Sequence, residues 1–435
     1  MTHHVVFSSG DVAFIPAVAA DDSVITISDV CSDVREMLSR LSLEVPPLAL
    51  DFLDLSAALY VADRAVDRKR TGWDGWQRDI ALHVPVREVA VWNGPAGEAL
   101  RLLVSYLSGD TWRINVHAGR QNKPYRPRKP PPPFSQVEAV ALFSGGLDSF
   151  AGAIDVLAEG TPLLLVSHRG RNSPSGVSTS QRAALGHLRT AYPQAEHVPF
   201  FVAEPLKTGR EDSTRSRALL FYALATVTAL GSGAQRLIIP ENGYLSLNVP
   251  LSTGHVGSFS TRSTHPNTMH LLKALLAALG FNLSVELPYH FLTKGEVLQT
   301  CRDQDLLRSG LTSTISCGHP SVSGRDRSLP PGHRKPGQHC GYCLACLVRR
   351  ASIEHAFGDD PTFYAYGQPG EFSERQTITM RAIQGSLRAV NTRTDLQRIV
   401  ASGPLTGPPE EVLAFRDVYR RGQDELRKLL ARRGL

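Results

Sequence analysis

One stretch, residues 137–157, constrains the fold of this 435-residue chain more than any other. It reads VEAVALFSGGLDSFAGAIDVL. The apolar run from Val137 to Phe143 predicts a buried strand, and apolar residues at helical spacing over residues 147–157 predict a helix. The glycines between them let backbone N–H groups approach a ligand, and a helix start offers unpaired donors and a favourable dipole. Strand, glycine turn and helix together therefore predict a phosphate-binding site.

The side chains of the turn suit the same chemistry. The turn consists of Ser144, Gly145, Gly146, Leu147, Asp148 and Ser149. The two serine hydroxyls can donate to phosphate, and the Asp148 carboxylate can hold Mg²⁺ between phosphate oxygens. It is not a Walker A loop, because the glycines are not followed by Gly-Lys-Ser/Thr. An ordinary glycine turn before a helix is the alternative, which the full string and its flanking elements disfavour.

The composition indicates a soluble globular protein. A length of 435 residues suggests two or three domains, and a hydrophobic content of 42% is enough for a sizeable core. The net charge of +6 permits an acidic ligand such as ATP without requiring nucleic acid. We expect a cytoplasmic protein, because the sequence has no apolar run of membrane-spanning length and does not begin like a signal peptide.

Four parts are predicted along the chain. A proline run within residues 120–136 is typical of a stiff polyproline II linker. It separates an N-terminal α+β domain, residues 1–119, from an ATP-binding domain, residues 137–357. A helical region, residues 358–435, follows. The basic residues of the linker are either solvated or contact an acidic partner.

Alternating strands and helices in the second domain predict a parallel sheet with helices on both faces. Ligands of such α/β sheets bind beyond the carboxyl ends of the strands. Ser167 and His168 follow the second strand, so we expect them to contact adenine or ribose. Glu241, Asn242 and Gly243 follow the fourth strand and indicate substrate recognition, although such residues also form turns.

Two basic residues near helix starts are further candidates for the site. Arg217 opens a long apolar helix and can clamp phosphates, although it can equally be a surface or capping residue. Lys294 begins a later helix, from which it could reach phosphate or remain solvated. The polar, glycine-rich residues 245–265 predict a long loop over the site.

A cysteine cluster late in the chain predicts a metal site. Cys340, Cys343 and Cys346 form the string CGYCLAC, and Cys317 supplies a fourth thiolate for tetrahedral Zn²⁺. Unliganded thiols and an iron–sulfur cluster are the alternatives. Any of three nearby histidines could replace Cys317 as a ligand: His319, His333 and His339.

The SGGLDS string resembles the loop of the PP-loop ATP pyrophosphatases, which implies an adenine nucleotide alpha hydrolase-like fold. With the cysteines, and with SHRGR at 167–171 and PENG at 240–243, residues 137–357 resemble the 7-cyano-7-deazaguanine synthases, QueC. That family activates the carboxylate of 7-carboxy-7-deazaguanine, forms an amide with ammonia and dehydrates it to a nitrile. The resemblance implies that the loop residues Ser144, Gly145, Gly146, Asp148 and Ser149 hold ATP, with Leu147 part of the same cofactor-binding loop, and that the four cysteines hold zinc.

Three departures from that family change the expected role. The spacer after Cys317 is longer, and both the N-terminal domain and the C-terminal region are additional. The whole architecture resembles the QueC-like proteins (QatC) of the Qat anti-phage defence systems. This resemblance implies a role in defence, with other defence components as partners and with either ammonia or a protein amine as acceptor. We expect no membrane partner and no direct nucleic-acid binding, and a homo-oligomer is a possibility.

The leading hypothesis is an ATP-dependent ligase that adenylates a 7-deazapurine carboxylate and joins it to an amine. Its chemistry is expected at Asp148, Ser149, Arg217 and Lys294, with Mg²⁺ and the backbone donors stabilising charge on the phosphates. A conventional synthase for modified-base biosynthesis and a tRNA-modifying PP-loop enzyme are the rival enzymes. A nucleotide-binding scaffold without catalysis is the alternative of another class.

Overall fold

The computed structural model describes the chain in twelve ranges: 1–7, 18–28, 30–119, 137–170, 175–205, 211, 215–251, 262–318, 320, 337–366, 374–388 and 394–433. The predicted linker, residues 252–261 of the predicted loop, and His319 and His333 lie outside these ranges. Within them, none of the helices combines the length and the apolar character that a bilayer span requires.

Strands and helices alternate along most of the described chain. The strands are β1 His3–Phe7, β2 Ser23–Ile27, β3 Cys31–Ser32, β4 Asp79–Val86, β5 Thr111–Ala118, β6 Ala139–Leu142, β7 Leu163–Arg169, β8 Glu196–Ala203, β9 Arg236–Ile238 and β10 Ser284–Glu286. The first helices are α1 Val34–Arg40, α2 Pro47–Ala65, α3 Arg68–Thr71, α4 Val89–Trp92, α5 Pro95–Ser108, α6 Leu147–Ala158, α7 Ser175–Ala191 and α8 Arg217–Ser232. The later helices are α9 Gly243–Ser246, α10 Pro266–Ala278, α11 Lys294–Thr300, α12 Gln304–Gly310, α13 Leu344–Phe357, α14 Glu374–Arg388, α15 Asp395–Val400 and α16 Pro409–Arg432.

The central sheet has the order β10-β9-β6-β7-β8-β3. Its first five strands are parallel, and β3 pairs antiparallel with β8 at the edge. The predicted mixed α/β fold with a parallel sheet is therefore confirmed. All four residues of β6 are buried, as expected for a strand covered by helices on both faces. The strand order reverses between β6 and β9, which is where ligands bind in doubly wound sheets.

A second sheet is formed by the N-terminal residues, in the order β2-β1-β4-β5. All of its pairs are parallel. The predicted α+β class for this part thus needs correction, because α2 and α5 lie on the crossovers between parallel strands, as in an α/β unit. Hydrophobic alternation, as at residues 78–86 and 111–117, indicates a strand but carries no information on its direction.

The N-terminal part and the central sheet share one hydrophobic core. Helix α2 packs against α8, and the buried cluster that contains Leu55 and Leu59 of α2 also contains Leu220 and Leu224 of α8. A buried carboxylate adds a polar connection, because both the N–H and the hydroxyl of Ser216 donate to Asp63 Oδ2, at 3.0 and 2.7 Å. The boundary at residue 119 stays a prediction, but the two sides of it are packed together.

The C-terminal helix α16 packs against α13 and α9. Its apolar stripe is buried at Phe415, Tyr419, Leu426 and Leu429, whereas Val412, one turn earlier, is half-buried. The buried carboxylate of Glu425 accepts hydrogen bonds from the hydroxyls of Thr293, just before α11, and Ser352 of α13. The C-terminal region is therefore tied to the helix that begins with Lys294.

Candidate active site and metal centre

The glycine turn lies at the carboxyl end of β6, between β6 and α6. Gly145 has a φ of +81°, and a Cβ there would lie 2.9 Å from Gln181 Cγ. Both the backbone conformation and the close approach of α7 therefore require glycine. Ser149 Oγ donates to the carbonyl of Gly146 (2.9 Å), and Ile315 N donates to that of Gly145 (2.9 Å). These contacts hold the turn in one conformation with the first N–H groups of α6 at its mouth.

A cavity of about 440 Å³ opens on this turn, at the reversal of strand order. Its volume is within the range of small-molecule sites. One part of its wall is polar, with Ser144, Ser149, His168, Arg217, Glu241 and Lys294. Another part is mainly apolar, with Leu142, Ala218, Phe221, Tyr222 and Ile239. The cavity also extends to Cys317 and Ala345, so it joins the glycine turn to the cysteine cluster.

Arg217 is held in the cavity wall by His168. Arg217 Nε donates to His168 Nδ1 (3.0 Å) and Arg217 Nη2 donates to the His168 carbonyl (3.1 Å), while His168 Nε2 donates to the Val202 carbonyl (3.0 Å). Burial and the Arg217 charge lower the pKa of His168 to about 3, so the ring is neutral and donates from Nε2. Among the described residues Arg217 forms no ion pair with a carboxylate. A cation without a counter-ion thus faces the cavity.

Asp148 and Lys294 form a buried ion pair instead of reaching into the cavity independently. Lys294 Nζ lies 2.5 Å from Asp148 Oδ1, and the side-chain amide of Asn242 donates to Asp148 Oδ2 (2.6 Å). Although burial opposes ionisation, Lys294 and these hydrogen bonds hold the pKa of Asp148 below its ordinary value. Both carboxylate oxygens thus accept from protein donors, and Lys294 is paired with Asp148; Mg²⁺ binding by Asp148 and a phosphate contact of Lys294 stay predictions.

Of the three predicted residues after β9, Glu241 lines the cavity, whereas Asn242 and Gly243 form the start of α9. Glu241 lines the cavity, and burial together with the neighbouring Asp148 carboxylate raises the pKa of Glu241 well above its ordinary value. Asn242 is buried and caps α9 by accepting from Leu245 N (3.0 Å). A Cβ on Gly243 would lie 2.0 Å from the carbonyl oxygen of His290. The predicted substrate contact is therefore retained only for Glu241.

Ser167 also differs from its prediction. Its side chain is fully buried, its hydroxyl donates to the Phe143 carbonyl, and it accepts from His197 Nε2 at 2.7 Å. It connects strands β6 and β7 and does not line the cavity, whereas the adjacent His168 does. In a strand buried on both faces, sequence alternation does not indicate which residue faces the ligand.

The four cysteines converge on one point, as predicted for a zinc site. Their Sγ atoms all lie within 4.8 Å of one another, and those of Cys340 and Cys346 are 3.8 Å apart. Tetrahedral Zn²⁺ with bonds of about 2.3 Å requires sulfur separations of about 3.8 Å. Backbone N–H groups of Cys340, Cys343 and Cys346 lie 3.3–3.4 Å from the sulfurs of Cys317, Cys340 and Cys343 respectively. Thiolates accept such hydrogen bonds, so the donor set fits a metal ion such as zinc.

The local sequence explains how the chain brings these cysteines together. Gly341 has a φ of +92°, and a Cβ there would lie 2.4 Å from the Tyr366 carbonyl oxygen. Cys343 is the N-cap of α13, so the metal centre and the start of the helix coincide. His339 is not part of the cluster, because its Nε2 accepts the N–H of Ser316 at 3.2 Å. This leaves Cys317 as the fourth ligand among the described residues.

Two residues that the sequence did not single out connect these features. Ser316 lies next to Cys317, and its hydroxyl accepts the N–H of Leu147, the first residue of α6, at 3.4 Å. Gln181 donates from Nε2 to the Ser144 carbonyl at 3.3 Å. The position of Ser316 beside a metal ligand was the one sequence signal that could have identified it.

No model of a protein family matches the sequence, and no curated protein matches it. The geometry of the cavity and the motifs in the chain itself are therefore the basis for assigning a function.

Proposed function

We propose that this protein is an ATP-dependent C–N ligase of the QueC-like PP-loop type, which adenylates a 7-deazapurine carboxylate and joins it to an amine. One observation carries the proposal. Arg217, without a carboxylate partner in the described chain, faces the same cavity as the glycine turn, at the reversal of strand order. A fixed cation beside a glycine turn and a helix start is the arrangement that a polyphosphate requires.

The polar part of the cavity supplies the phosphate contacts. The turn contributes the hydroxyls of Ser144 and Ser149 and the N–H groups at the start of α6, and Arg217 at the start of α8 lines the same cavity. The apolar part, at Phe221 and Ile239, is suited to a purine ring. The direction of the cavity toward Cys317 leaves room for a second ring system beside the first.

The proposed reaction has two steps. A carboxylate oxygen of the acid attacks the α-phosphorus of ATP, and the bond to the bridging oxygen of the β-phosphate breaks, so that pyrophosphate leaves. The amine nitrogen then attacks the acyl carbon, the bond from carbon to the AMP oxygen breaks, and the nitrogen loses a proton. Donors fixed before the reaction stabilise charge on the phosphates at no cost of reorganisation, which is the role of Arg217 and the turn.

The metal centre has a structural role in this proposal. Zinc bound by the four thiolates would fix the start of α13 and the Ser316–Cys317 wall of the cavity. Mg²⁺ accompanies ATP in such reactions, but Asp148 is committed to Lys294 and Asn242, so no step is assigned to a protein-bound magnesium. The biological setting we propose is anti-phage defence, with conventional modified-base biosynthesis as the alternative.

The test is ATP–pyrophosphate exchange in the presence of 7-carboxy-7-deazaguanine. We expect exchange in the wild type, and a loss of about 10²-fold or more in Arg217→Gln, the size typical of removing one preorganised donor. Arg169→Gln is the matched control. Arg169 is the last residue of β7, next to His168, but it pairs with Asp33 and does not line the cavity. It should retain exchange.

Two outcomes would contradict the proposal. If ATP binds but no exchange occurs with this acid, the protein is a nucleotide-binding scaffold or acts on another substrate. If Arg217→Gln and Arg169→Gln exchange equally well, the cation assigned to the phosphates is elsewhere. Thermal unfolding of both variants separates these results from loss of the fold.

A further inference from the structure

Glu241 stands out among the residues of the cavity that phosphate binding does not use. It lies in the segment after β9, facing the cavity, while its neighbour Asn242 is turned away to Asp148. A carboxylate beside the phosphates of ATP would repel them, so a phosphate-binding role does not explain it. Backbone hydrogen bonds nonetheless hold the segment around Glu241 in place. Glu241 N donates to the Ile239 carbonyl (3.0 Å), and Gly243 N donates to the carbonyls of Tyr289 and Leu292 (3.0 and 2.9 Å).

The groups around Glu241 form one small network of charge. Asp148 on α6 and Lys294 on α11 neutralise each other, and the side-chain amide of Asn242 lies 3.4 Å from Glu241 Oε1. Tyr222 on α8 also lines the cavity, and its hydroxyl donates to the Ser263 carbonyl; burial and the nearby Glu241 carboxylate raise the pKa of this tyrosine. Glu241 is therefore the one carboxyl lining the described part of the cavity that has no ion pair of its own.

We infer that Glu241 is the general base of the second step and accepts the proton that the attacking amine loses. This inference rests on the proposed function. As the amine nitrogen bonds to the acyl carbon, one N–H bond breaks and the proton passes to a Glu241 carboxylate oxygen. The bond from the acyl carbon to the phosphate oxygen breaks with its electron pair, and AMP leaves. No co-reactant beyond the amine is required.

The electrostatics suit this role. Burial and Asp148 raise the pKa of Glu241 well above its ordinary value, which brings a carboxylate closer to the range in which it can hold a proton from an amine. The first step needs no base, since the acid attacks as its carboxylate. Loss of Glu241 should therefore slow amine transfer and leave adenylation almost intact.

The experiment uses the full chain with ATP, 7-carboxy-7-deazaguanine and ammonia, and measures the two steps separately. Pyrophosphate exchange reports adenylation, and single-turnover amide formation after addition of ammonium reports transfer. For Glu241→Gln we expect exchange within a few-fold of the wild type and transfer slower by about 10²–10⁴-fold, the usual contribution of a general base. Glu204→Gln, which removes a buried carboxylate paired with Arg64 outside the cavity, is the matched control.

The pH dependence gives a second readout, which a purely structural role would not change. In the wild type, transfer should rise with pH through the raised pKa of Glu241, because only the ionised carboxylate accepts a proton. Glu241→Gln should lose this limb, and Glu241→Asp should retain part of it and part of the rate.

The possible results separate the two proposals. Equal transfer rates in wild type and Glu241→Gln, or equal losses in exchange and transfer, would overturn the role as base. If Glu241→Gln does not fold, a Glu241→Asp protein whose transfer and exchange fall together would also overturn it. Failure of the wild type to exchange pyrophosphate at all would instead overturn the proposed function, and this inference with it.

Discussion

At the scale of single residues, the buried ion pair of Asp148 and Lys294 is the most consequential contact of the site. The exposed fractions of the two side chains are 5% and 3%, and the pair joins α6 to α11 beneath the glycine turn. Removing one partner of such a pair leaves an uncompensated charge in a poorly solvated place. The pair therefore serves the stability of the site as well as its geometry.

We expect Asp148→Asn to lower the free energy of unfolding by about 3–5 kcal/mol, because Lys294 remains buried without its counter-ion. The double variant Asp148→Asn/Lys294→Met should lose less than the sum of the single variants. Urea denaturation measures both. The matched control is Glu159→Gln, which breaks the exposed pair with Arg302 and should cost less than about 1 kcal/mol.

The same pair gives a pH dependence of known sign. The pKa of Asp148 is lower in the folded chain than its ordinary value, so folding favours the ionised form. Its contribution to stability is complete above the ordinary aspartate pKa of about 3.9 and is lost as the pH falls through the lower folded value. Two results would contradict the buried pair. One is a double variant whose loss of unfolding free energy equals the sum of the single losses. The other is an Asp148→Asn protein whose stability falls at acidic pH just as that of the wild type does.

At the scale of elements, α13 depends on the metal centre that its N-cap helps to form. The purified protein should contain about one Zn²⁺ per chain, and Cys343→Ser should lower both metal content and the unfolding temperature, because structural zinc contributes folding energy directly. Cys301→Ser is the control, since it removes a buried thiol outside the cluster. It should leave the metal content unchanged. Protein without zinc, or with iron and labile sulfide, would contradict the assignment.

Elements with a local sequence pattern could be predicted, whereas contacts between distant parts of the chain could not. The strand, turn and helix around Ser144 were predictable because their signals are local, and so was the cluster of Cys340, Cys343 and Cys346. The partner of Asp148 was not, because Lys294 lies 146 residues further along the chain. The inward orientation of Ser167 and the parallel direction of the N-terminal strands depend on tertiary packing, which local patterns do not encode.

At the scale of the whole molecule, the shared hydrophobic core means that the N-terminal part stabilises the domain that contains the central sheet. We expect residues 1–119 and 137–435, produced together as separate chains, to purify as one complex, because α2 and α8 bury apolar surface against each other. Residues 137–435 produced alone should be less stable or insoluble. Size-exclusion chromatography and thermal unfolding measure both. A soluble 137–435 chain that unfolds at the temperature of the full protein would contradict this expectation.

The pairing of the two-residue strand β3 with β8 has a consequence for behaviour in a crowded solution. An outermost strand offers unpaired N–H and carbonyl groups to any other extended chain. Here Cys31 and Ser32 occupy that position opposite Ala203 and Val202, and the Asp33 carboxylate accepts the N–H of Phe201 at 2.7 Å. The chain thus blocks with its own backbone the place where a second copy would add a strand. Mutations in residues 31–33 should therefore show themselves first as self-association at high concentration, before any loss of the fold.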